Sequence, residues 1–233
     1  LFVYAFYEWL SMTGITYIRK ILYLLSLPFI MLLLYIYITP GLLIFMIYLS
    51  AAFWVTILVL LKNYKLLFNI MSSNYFIIGL FIFLTSWLCI ISWNNLDNKL
   101  YFELSLSSNN LDLVTAYHFL FIVALISLSD ISGYIIGKKF GKTKLIEKIS
   151  PNKTTEGFIA SIFFPTAIFY IYFIEILSHP FFIRDLIFMI VCCISCTLGD
   201  LAVSSYKRAF SVKDSGNFLP AHGGLLDRLD SYL

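Results

Sequence analysis

Residues 20–61 read KILYLLSLPFIMLLLYIYITPGLLIFMIYLSAAFWVTILVLL, and this stretch decides the class of fold. It contains two apolar runs, 20–38 and 41–61, and each has roughly the 20 residues that a helix needs to cross a bilayer. The turn Thr39-Pro40-Gly41 separates them, because Pro and Gly do not readily continue a helix. The stretch therefore predicts an antiparallel pair of membrane-spanning helices.

The composition of the whole chain agrees with a membrane protein. Of its 233 residues, 61% are hydrophobic and 12% are charged, and the mean hydropathy is +0.90. A typical soluble domain has about 25% charged residues, so this chain has too few charges to cover a water-facing surface. The composition disfavours a soluble enzyme, a disordered chain and a fibre.

Four more apolar runs of spanning length follow, at residues 75–93, 114–136, 158–177 and 182–201. Residues 1–13 resemble the end of a seventh run that begins without Met. We therefore expect a fragment of a longer protein. The expected fold is all-α, a polytopic membrane bundle of about six full spans plus a truncated N-terminal span.

Lysine and arginine are distributed unevenly between alternate loops. Fourteen of the 16 basic residues fall on one side of the predicted bundle: Arg19, Lys20, Lys62, Lys65, Lys138, Lys139, Lys142, Lys144, Lys148, Lys153, Lys207, Arg208, Lys213 and Arg228. Only Lys99 and Arg184 fall on the other. Because cytoplasmic loops carry an excess of Lys and Arg, the lysine-rich loops and the tail are predicted to be cytoplasmic.

Two carboxylates within the apolar runs are candidates for function. Asp130 lies in the cytoplasmic third of its run, and Asp200 lies near the cytoplasmic end of its run. A charged side chain inside a bilayer costs about 2.5–3.5 kcal/mol on insertion scales. Glu175, near the opposite end of its run, can instead be solvated by water or headgroups.

The segment from Asp200 to the end of the tail concentrates acids and bases. It contains Asp200, Lys207, Arg208, Lys213, Asp214, Asp227, Arg228 and Asp230. Carboxylates are ligands that Mg²⁺ prefers, and Lys and Arg bind phosphate oxygens. This mixture indicates metal-assisted phosphoryl chemistry on a lipid. The alternative is a solvated juxtamembrane tail with internal salt bridges.

A glycine pair interrupts this tail at His222-Gly223-Gly224, just before a predicted helix start at Leu225. Glycines allow close approach of the backbone to a ligand, and consecutive backbone N–H groups in such a turn can form an anion-binding nest. Asp227 and Asp230 are three residues apart and would share a helix face.

The stretch from Ser204 to Asp230, SSYKRAFSVKDSGNFLPAHGGLLDRLD, closely resembles the signature of the phosphatidate cytidylyltransferase family, also called CDP-diacylglycerol synthases. Residues 130–158 resemble a second cytoplasmic motif of that family, including SPNKTTEGF at 150–158. The resemblance covers about residues 120–233 strongly and the earlier spans only by hydropathy. Three positions depart from the family pattern: Val203, Tyr206 and Ala221.

The resemblance implies a nucleotidyltransferase of phospholipid biosynthesis. It implies that the phosphate of phosphatidate attacks the α-phosphorus of CTP in line, giving CDP-diacylglycerol and pyrophosphate. Mg²⁺ would assist by bridging phosphate oxygens, with Asp200 and Asp227 as its ligands. Asp214 and Asp230 are second choices for the metal.

The other residues follow from the same resemblance. The implied catalytic residues are Asp200, Lys207, Arg208, Lys213, Asp214 and Asp227. The implied substrate-binding residues are Asp130, Lys153, Thr154, Ser204, His222, Gly223, Gly224, Arg228 and Asp230. The implied partners are CTP, phosphatidate in the bilayer and membrane lipid, without nucleic acid, and the family suggests a homodimer.

The expected domain organisation places N-terminal transmembrane helices at 1–129 and a catalytic transmembrane region at 130–233. That region includes a cytoplasmic loop at 137–157 and a cytoplasmic tail at 202–233. The expected location is the bacterial inner membrane, with the active site on its cytoplasmic side.

Other classes stay open at this point. A transporter or channel would also place Asp130 and Asp200 inside the membrane, but it would not need the dense charged tail. A CDP-alcohol phosphotransferase would carry an Asp-Gly-x-x-Ala-Arg motif, which the sequence lacks. A non-enzymatic scaffold is the third alternative.

The charge distribution predicts the outcome of cysteine labelling. In a background without the four native cysteines, Lys142→Cys and His222→Cys should react with a membrane-impermeant maleimide only when the cytoplasmic face is accessible. Lys99→Cys, on the opposite side, should react from outside and serves as the control. Labelling of positions 142 and 222 from outside would overturn the orientation.

Overall fold

The computed structural model describes residues 1–104, 111–172, 174, 182–216, 218 and 223–233. Across these ranges the chain is mainly helical. The helices are α1 (Phe2–Ser11), α2 (Tyr17–Tyr37), α3 (Pro40–Leu60), α4 (Tyr64–Ser73), α5 (Tyr75–Leu104), α6 (Leu111–Phe140), α7 (Thr155–Ile171), α8 (Ile183–Ala209) and α9 (Leu226–Leu229). A short 3₁₀ helix, Asp230–Tyr232, follows α9.

The predicted membrane protein is confirmed, but the count of six full spans plus a truncated one is not. Four helical segments among the described residues are long and apolar enough to cross a membrane: Tyr17–Tyr37, Pro40–Leu60, Leu120–Phe140 and Ile183–Ala209. A fifth span is counted if the bent pair α4 and α5 forms one crossing. Helix α7, predicted as a full span, has 17 residues, and α1 has 10. The predicted turn at 178–180 and Glu175 lie outside the described residues.

The α2–α3 hairpin forms as the opening stretch predicts. Thr39 is the N-cap of α3, and its side-chain oxygen accepts a hydrogen bond from the Leu42 N–H at 3.3 Å. Pro40 occupies the first turn, where its missing N–H has no intrahelical partner to lose. The boundary between the two runs is therefore set by local backbone chemistry.

The segment 64–73, which hydropathy leaves as a connection, is helical. Asn63 caps α4 by accepting from the Leu66 N–H at 3.3 Å. Helix α4 then meets residues 75–91 of α5 at an angle of 89°. The hydropathy pattern missed this element because it counts apolar residues and does not register a cap or a bend.

The loop predicted at 137–157 contains a two-stranded antiparallel sheet, so the chain is not purely α. Strand β1 (Lys144–Ile146) pairs with β2 (Ser150–Thr154). Thr154 then caps α7 by accepting from the Gly157 N–H at 3.1 Å. Between α6 and α7, the two strands pair backbone N–H and C=O groups with one another, as a helix would otherwise have done.

The described chain divides into two compact units. The first comprises residues 1–100, 202–231 and 233, and the second comprises residues 101–201 and 232. The predicted functional boundary at residue 130 stays a prediction.

Aromatic packing holds the tail to α1 in the first unit. The Trp9 and Tyr206 rings are both fully buried and stack with centroids 3.4 Å apart. The Tyr206 hydroxyl donates to the Trp9 carbonyl at 3.0 Å, and the Trp9 indole N–H donates to the Tyr75 carbonyl at 2.8 Å. Tyr206, one of the three departures from the family pattern, thus has a hydroxyl with a buried partner.

Small residues bring α6 and α7 together in the second unit. A Cβ at Gly157 would lie 2.7 Å from the Gly133 carbonyl oxygen and 3.1 Å from the Gly137 Cα. Nearby, the Ser129 hydroxyl donates to the Ser161 carbonyl at 2.9 Å. Close backbone approach at small residues is how helices commonly associate in membranes.

This packing predicts that Gly157→Ala lowers the thermal unfolding temperature in detergent. The added methyl group overpacks the α6–α7 contact, which costs about 1–3 kcal/mol. Gly41→Ala is the matched control, because a Cβ there meets nothing within 4 Å. Equal unfolding temperatures for the two variants would contradict the close contact.

Candidate active site

Asp227 is the centre of the polar site in the first unit. Its Oδ1 accepts a hydrogen bond from Lys207 Nζ at 2.8 Å. Its Oδ2 accepts from the backbone N–H groups of Ser215 at 2.9 Å and Gly224 at 3.1 Å. The Asp227 and Lys207 side chains are 15% and 11% exposed. A mostly enclosed carboxylate is therefore matched by one cation and two amide dipoles.

The environment holds the pKa of Asp227 below its usual range. Burial alone would raise this pKa, but it is outweighed by the hydrogen bond from Lys207, the Ser215 amide, the Lys207 charge and the Gly224 amide. Asp227 is therefore ionised at neutral pH, which a metal ligand or a phosphate-site carboxylate requires.

The glycine pair shapes the turn that reaches Asp227. Gly223 has φ +84°, a left-handed conformation that side chains with a Cβ rarely adopt. A Cβ at Gly223 would also lie 3.1 Å from Asp227 Oδ2. The turn brings the backbone close to a carboxylate of the same chain, and the approach of Gly223 and Gly224 to a ligand stays a prediction.

Glu8 is the residue that sequence reasoning missed. It is 2% exposed, and its two carboxylate oxygens accept from the Ser215 hydroxyl at 3.0 Å and from the N–H groups of Leu225 at 3.0 Å and Leu226 at 2.8 Å. The signal was present, because Glu8 is the sole acidic residue before Asp97 and lies in an apolar run. The reasoning that singled out Asp130 and Asp200 applies equally to Glu8.

A second polar site lies in the other unit. Lys153 in β2 forms an ion pair with Asp200 in α8, with Nζ and Oδ2 2.5 Å apart and both side chains 24% exposed. The exposed Asp130 accepts from Cys196 Sγ at 3.4 Å. Thr154 is buried, and its hydroxyl serves as the α7 cap. Three predicted site residues thus lie on elements that meet in this unit: Asp130, Lys153 and Asp200.

The remaining predicted residues have varied surroundings. Ser204 is buried, whereas Lys213, Asp214 and Arg228 are exposed. Arg208 donates to the Val212 carbonyl at 3.2 Å, and Asp230 Oδ1 accepts from the Ser231 N–H at 2.9 Å. His222 and Ala221 lie outside the described residues.

The predicted metal ligands Asp200 and Asp227 belong to different units, and each has a lysine partner. Within the described ranges, no three His, Cys, Asp or Glu side chains converge as a preformed cage. Mg²⁺ commonly uses one or two carboxylates together with waters and substrate phosphates. Asp200 and Asp227, each within its own unit, are carboxylates of the kind that such a site uses.

Comparison with known proteins decides the family. A protein-family sequence model, described as the cytidylyltransferase family, matches residues 1–233. The chain belongs to the cytidylyltransferase family. The resemblance found in the sequence is confirmed, and the chain is an enzyme of the nucleotidyltransferase class.

Curated relatives of this cytidylyltransferase are named phosphatidate cytidylyltransferase. The protein of Staphylococcus aureus (strain COL) is 34% identical over 197 residues, which cover 83% of this chain and 72% of the relative. That of Staphylococcus saprophyticus is 33% identical over 193 residues, with the same coverage. That of Bacillus subtilis (strain 168) is 39% identical over 133 residues, which cover 57% of this chain and 49% of the relative.

The lowered pKa of Asp227 predicts how pH changes stability in this cytidylyltransferase. A carboxyl whose folded-state pKa is depressed stabilises the fold above its unfolded pKa of about 3.9, and that stabilisation is lost as the pH falls through the folded pKa. Asp227→Asn should therefore lower the unfolding temperature in detergent at pH 7, by the equivalent of about 1–3 kcal/mol for an unpaired Lys207. This deficit should shrink below about pH 4, where the wild-type carboxyl is also losing its charge.

Asp185→Asn is the control for this titration. Asp185 also accepts from a backbone N–H, that of Phe182 at 2.9 Å, and faces Arg184, but its side chain is 40% exposed. Its substitution should change the unfolding temperature little at any pH. A deficit for Asp227→Asn that is constant from pH 7 to pH 3 would contradict the assigned charge pairing.

Proposed function

We propose that this chain transfers a cytidylyl group from CTP to phosphatidate, giving CDP-diacylglycerol and pyrophosphate. The observation that carries the proposal is the enclosed Asp227–Lys207 pair, 2.8 Å from Oδ1 to Nζ, inside the segment that carries the family signature. The relatives named phosphatidate cytidylyltransferase support the same pair of substrates.

The proposed reaction joins two phosphates that repel one another. An oxygen of the lipid phosphate attacks the α-phosphorus of CTP. The bond from that phosphorus to the oxygen bridging the α- and β-phosphates breaks, and pyrophosphate leaves with the electron pair. Such transfers depend mainly on positioning and on neutralising charge, so cations must surround the phosphates. The residues proposed for this role are Lys207, Arg208, Lys213 and Arg228.

Lys207 has a double function in this proposal. Its ammonium group has three N–H donors, and Asp227 takes one of them at 2.8 Å. The enclosed carboxylate fixes the position of the ammonium group. The other donors can then be directed to a phosphate oxygen without a large loss of side-chain entropy.

Mg²⁺ is the proposed cofactor, with Asp200 and Asp227 as its ligands. Asp227 Oδ1 accepts one hydrogen bond from the described residues, and a carboxylate oxygen has two acceptor sites, which leaves capacity for a cation. When bound, Mg²⁺ would neutralise charge on the leaving pyrophosphate. Asp130, Lys153 and Thr154 are proposed to contact the nucleotide.

The proposed setting is the cytoplasmic face of a bacterial inner membrane, where CTP reaches the lipid headgroup while the acyl chains stay in the bilayer. The uneven distribution of lysine and arginine supports this orientation. A homodimer stays a prediction from the family resemblance. The transporter alternative is not favoured, because the matching family and relatives are cytidylyltransferases.

The test is incorporation of radiolabelled CTP into lipid by the full-length protein in phosphatidate-containing vesicles. We expect product only when phosphatidate and Mg²⁺ are both present. Asp227→Asn should reduce incorporation by at least about 100-fold, as expected for removing a proposed ligand of the metal ion that would stabilise transition-state charge. Protein inserted in the membrane is quantified in parallel, so that loss of protein is separated from loss of activity.

Asp185→Asn, in the first turn of α8, should retain wild-type incorporation. Full activity of Asp227→Asn would contradict the two-aspartate metal site. Labelled lipid formed without added phosphatidate would contradict the proposed acceptor, and ion flux independent of nucleotide would favour the transporter.

A further inference from the structure

The buried carboxylate of Glu8 is linked to Asp227 through a single residue. Ser215 donates its hydroxyl to Glu8 Oε2 at 3.0 Å and its backbone N–H to Asp227 Oδ2 at 2.9 Å. Glu8 Oε1 and Oε2 also accept from the N–H groups of Leu225 and Leu226, which begin the turn leading into α9. Glu8 therefore bonds to both chain segments, 215–216 and 224–226, that supply the backbone amides bonded to Asp227.

Two glycines leave the room that Glu8 occupies. A Cβ at Gly216 would lie 2.7 Å from Glu8 Oε1, and a Cβ at Gly224 would lie 2.6 Å from Glu8 Oε2. Both distances are shorter than a carbon and an oxygen tolerate without displacement. The segments 215–216 and 224–226 are thus built closely around the carboxylate of α1.

The depth at which the Glu8 side chain is buried makes its hydrogen-bond donors necessary. Glu8 is 2% exposed, and an ionised carboxylate without hydrogen bonds in such a place would be strongly unfavourable. Three donors at 2.8–3.0 Å satisfy it. Because the donors are two backbone amides and one serine hydroxyl, satisfying Glu8 also ties Ser215 to the turn at Leu225 and Leu226.

We propose that Glu8 is a positioning residue for the cytidylyltransferase site: it fixes Ser215 and Gly224 so that their amides orient Asp227 toward Lys207. This proposal rests on the proposed function for its kinetic consequence. Its structural consequence is independent of that function. Glu8 itself touches neither substrate nor metal in this role.

Glu8→Gln is the principal variant. Glutamine has nearly the same volume, but one carboxylate oxygen becomes an NH₂ group that faces donors and cannot accept. We expect kcat for CTP incorporation to fall about 10–100-fold, the effect typical of removing an outer partner of a metal-site ligand. KM for CTP should change less than threefold, since the phosphate-binding cations are retained. Glu8→Asp keeps both acceptor oxygens and should recover part of the lost kcat.

Glu147→Gln is the matched control. Glu147 is an exposed glutamate in the turn between β1 and β2, and its substitution should leave kcat and KM unchanged. If Glu8 has only a general structural role, Glu8→Gln will reduce the yield of folded protein while the folded fraction keeps the wild-type kcat. That result would overturn the proposal.

Hydrogen–deuterium exchange on the full-length protein in detergent tests the positioning without any assay of activity. In Glu8→Gln the amides of Ser215, Gly224, Leu225 and Leu226 should exchange at least about tenfold faster, while those of α2 and α3 stay unchanged. Faster exchange throughout the first unit, or no change at 215 and 224–226, would overturn the proposal. If exchange changes as expected but wild-type protein makes no CDP-diacylglycerol, the proposed function fails and the positioning role stands.

Discussion

The need to keep the Asp227 carboxylate ionised in an enclosed place shapes the end of this chain. One lysine and two backbone amides supply its hydrogen bonds. Each donor imposes a local condition: Lys207 must lie in the last turn of α8, and the chain must fold back through a glycine pair. Part of the charge in the tail, that of Asp227 and Lys207, is thus paired within the protein.

The tail is partly enclosed by tertiary contacts. Lys207 and Ser215 are buried and Leu226 is fully enclosed, and Lys207 forms an internal salt bridge with Asp227. Lys213, Asp214 and Arg228 are exposed. The electrostatic interaction within the enclosed pair is stronger than it would be in water, because water is largely excluded from it.

Sequence reasoning reached the class of fold and singled out Asp227 because both depend on local patterns. Apolar runs of spanning length predicted α2 and α3 within three residues, and Thr39 marked the boundary between them. The charge density of the tail and its glycine pair drew attention to Asp227, and the family resemblance implied its role. These features share one property, namely that the residues which explain them lie within a few positions in the chain.

The features that were missed depend on residues far apart in the sequence or on geometry that hydropathy does not record. Glu8 looked like an interruption of an apolar run, because its three donors lie more than 200 residues away. The 89° bend after α4 and the strand pair before α7 are features of backbone geometry, which hydropathy does not record. The packing role of Tyr206, a departure from the family pattern, was not visible in the sequence because its stacking partner, Trp9, is distant in the chain.

The contact of α1 with the tail also constrains the order of biosynthesis. The bonds from Glu8 to Ser215, Leu225 and Leu226 span 207, 217 and 218 residues of chain. Helix α1 is therefore synthesised well before the segments that supply the donors of Glu8. At about 5–20 residues per second in translation, that interval is roughly 10–40 s. Throughout it the Glu8 side chain lacks its native donors, so the polar site of the first unit can form only after Leu226 has been synthesised.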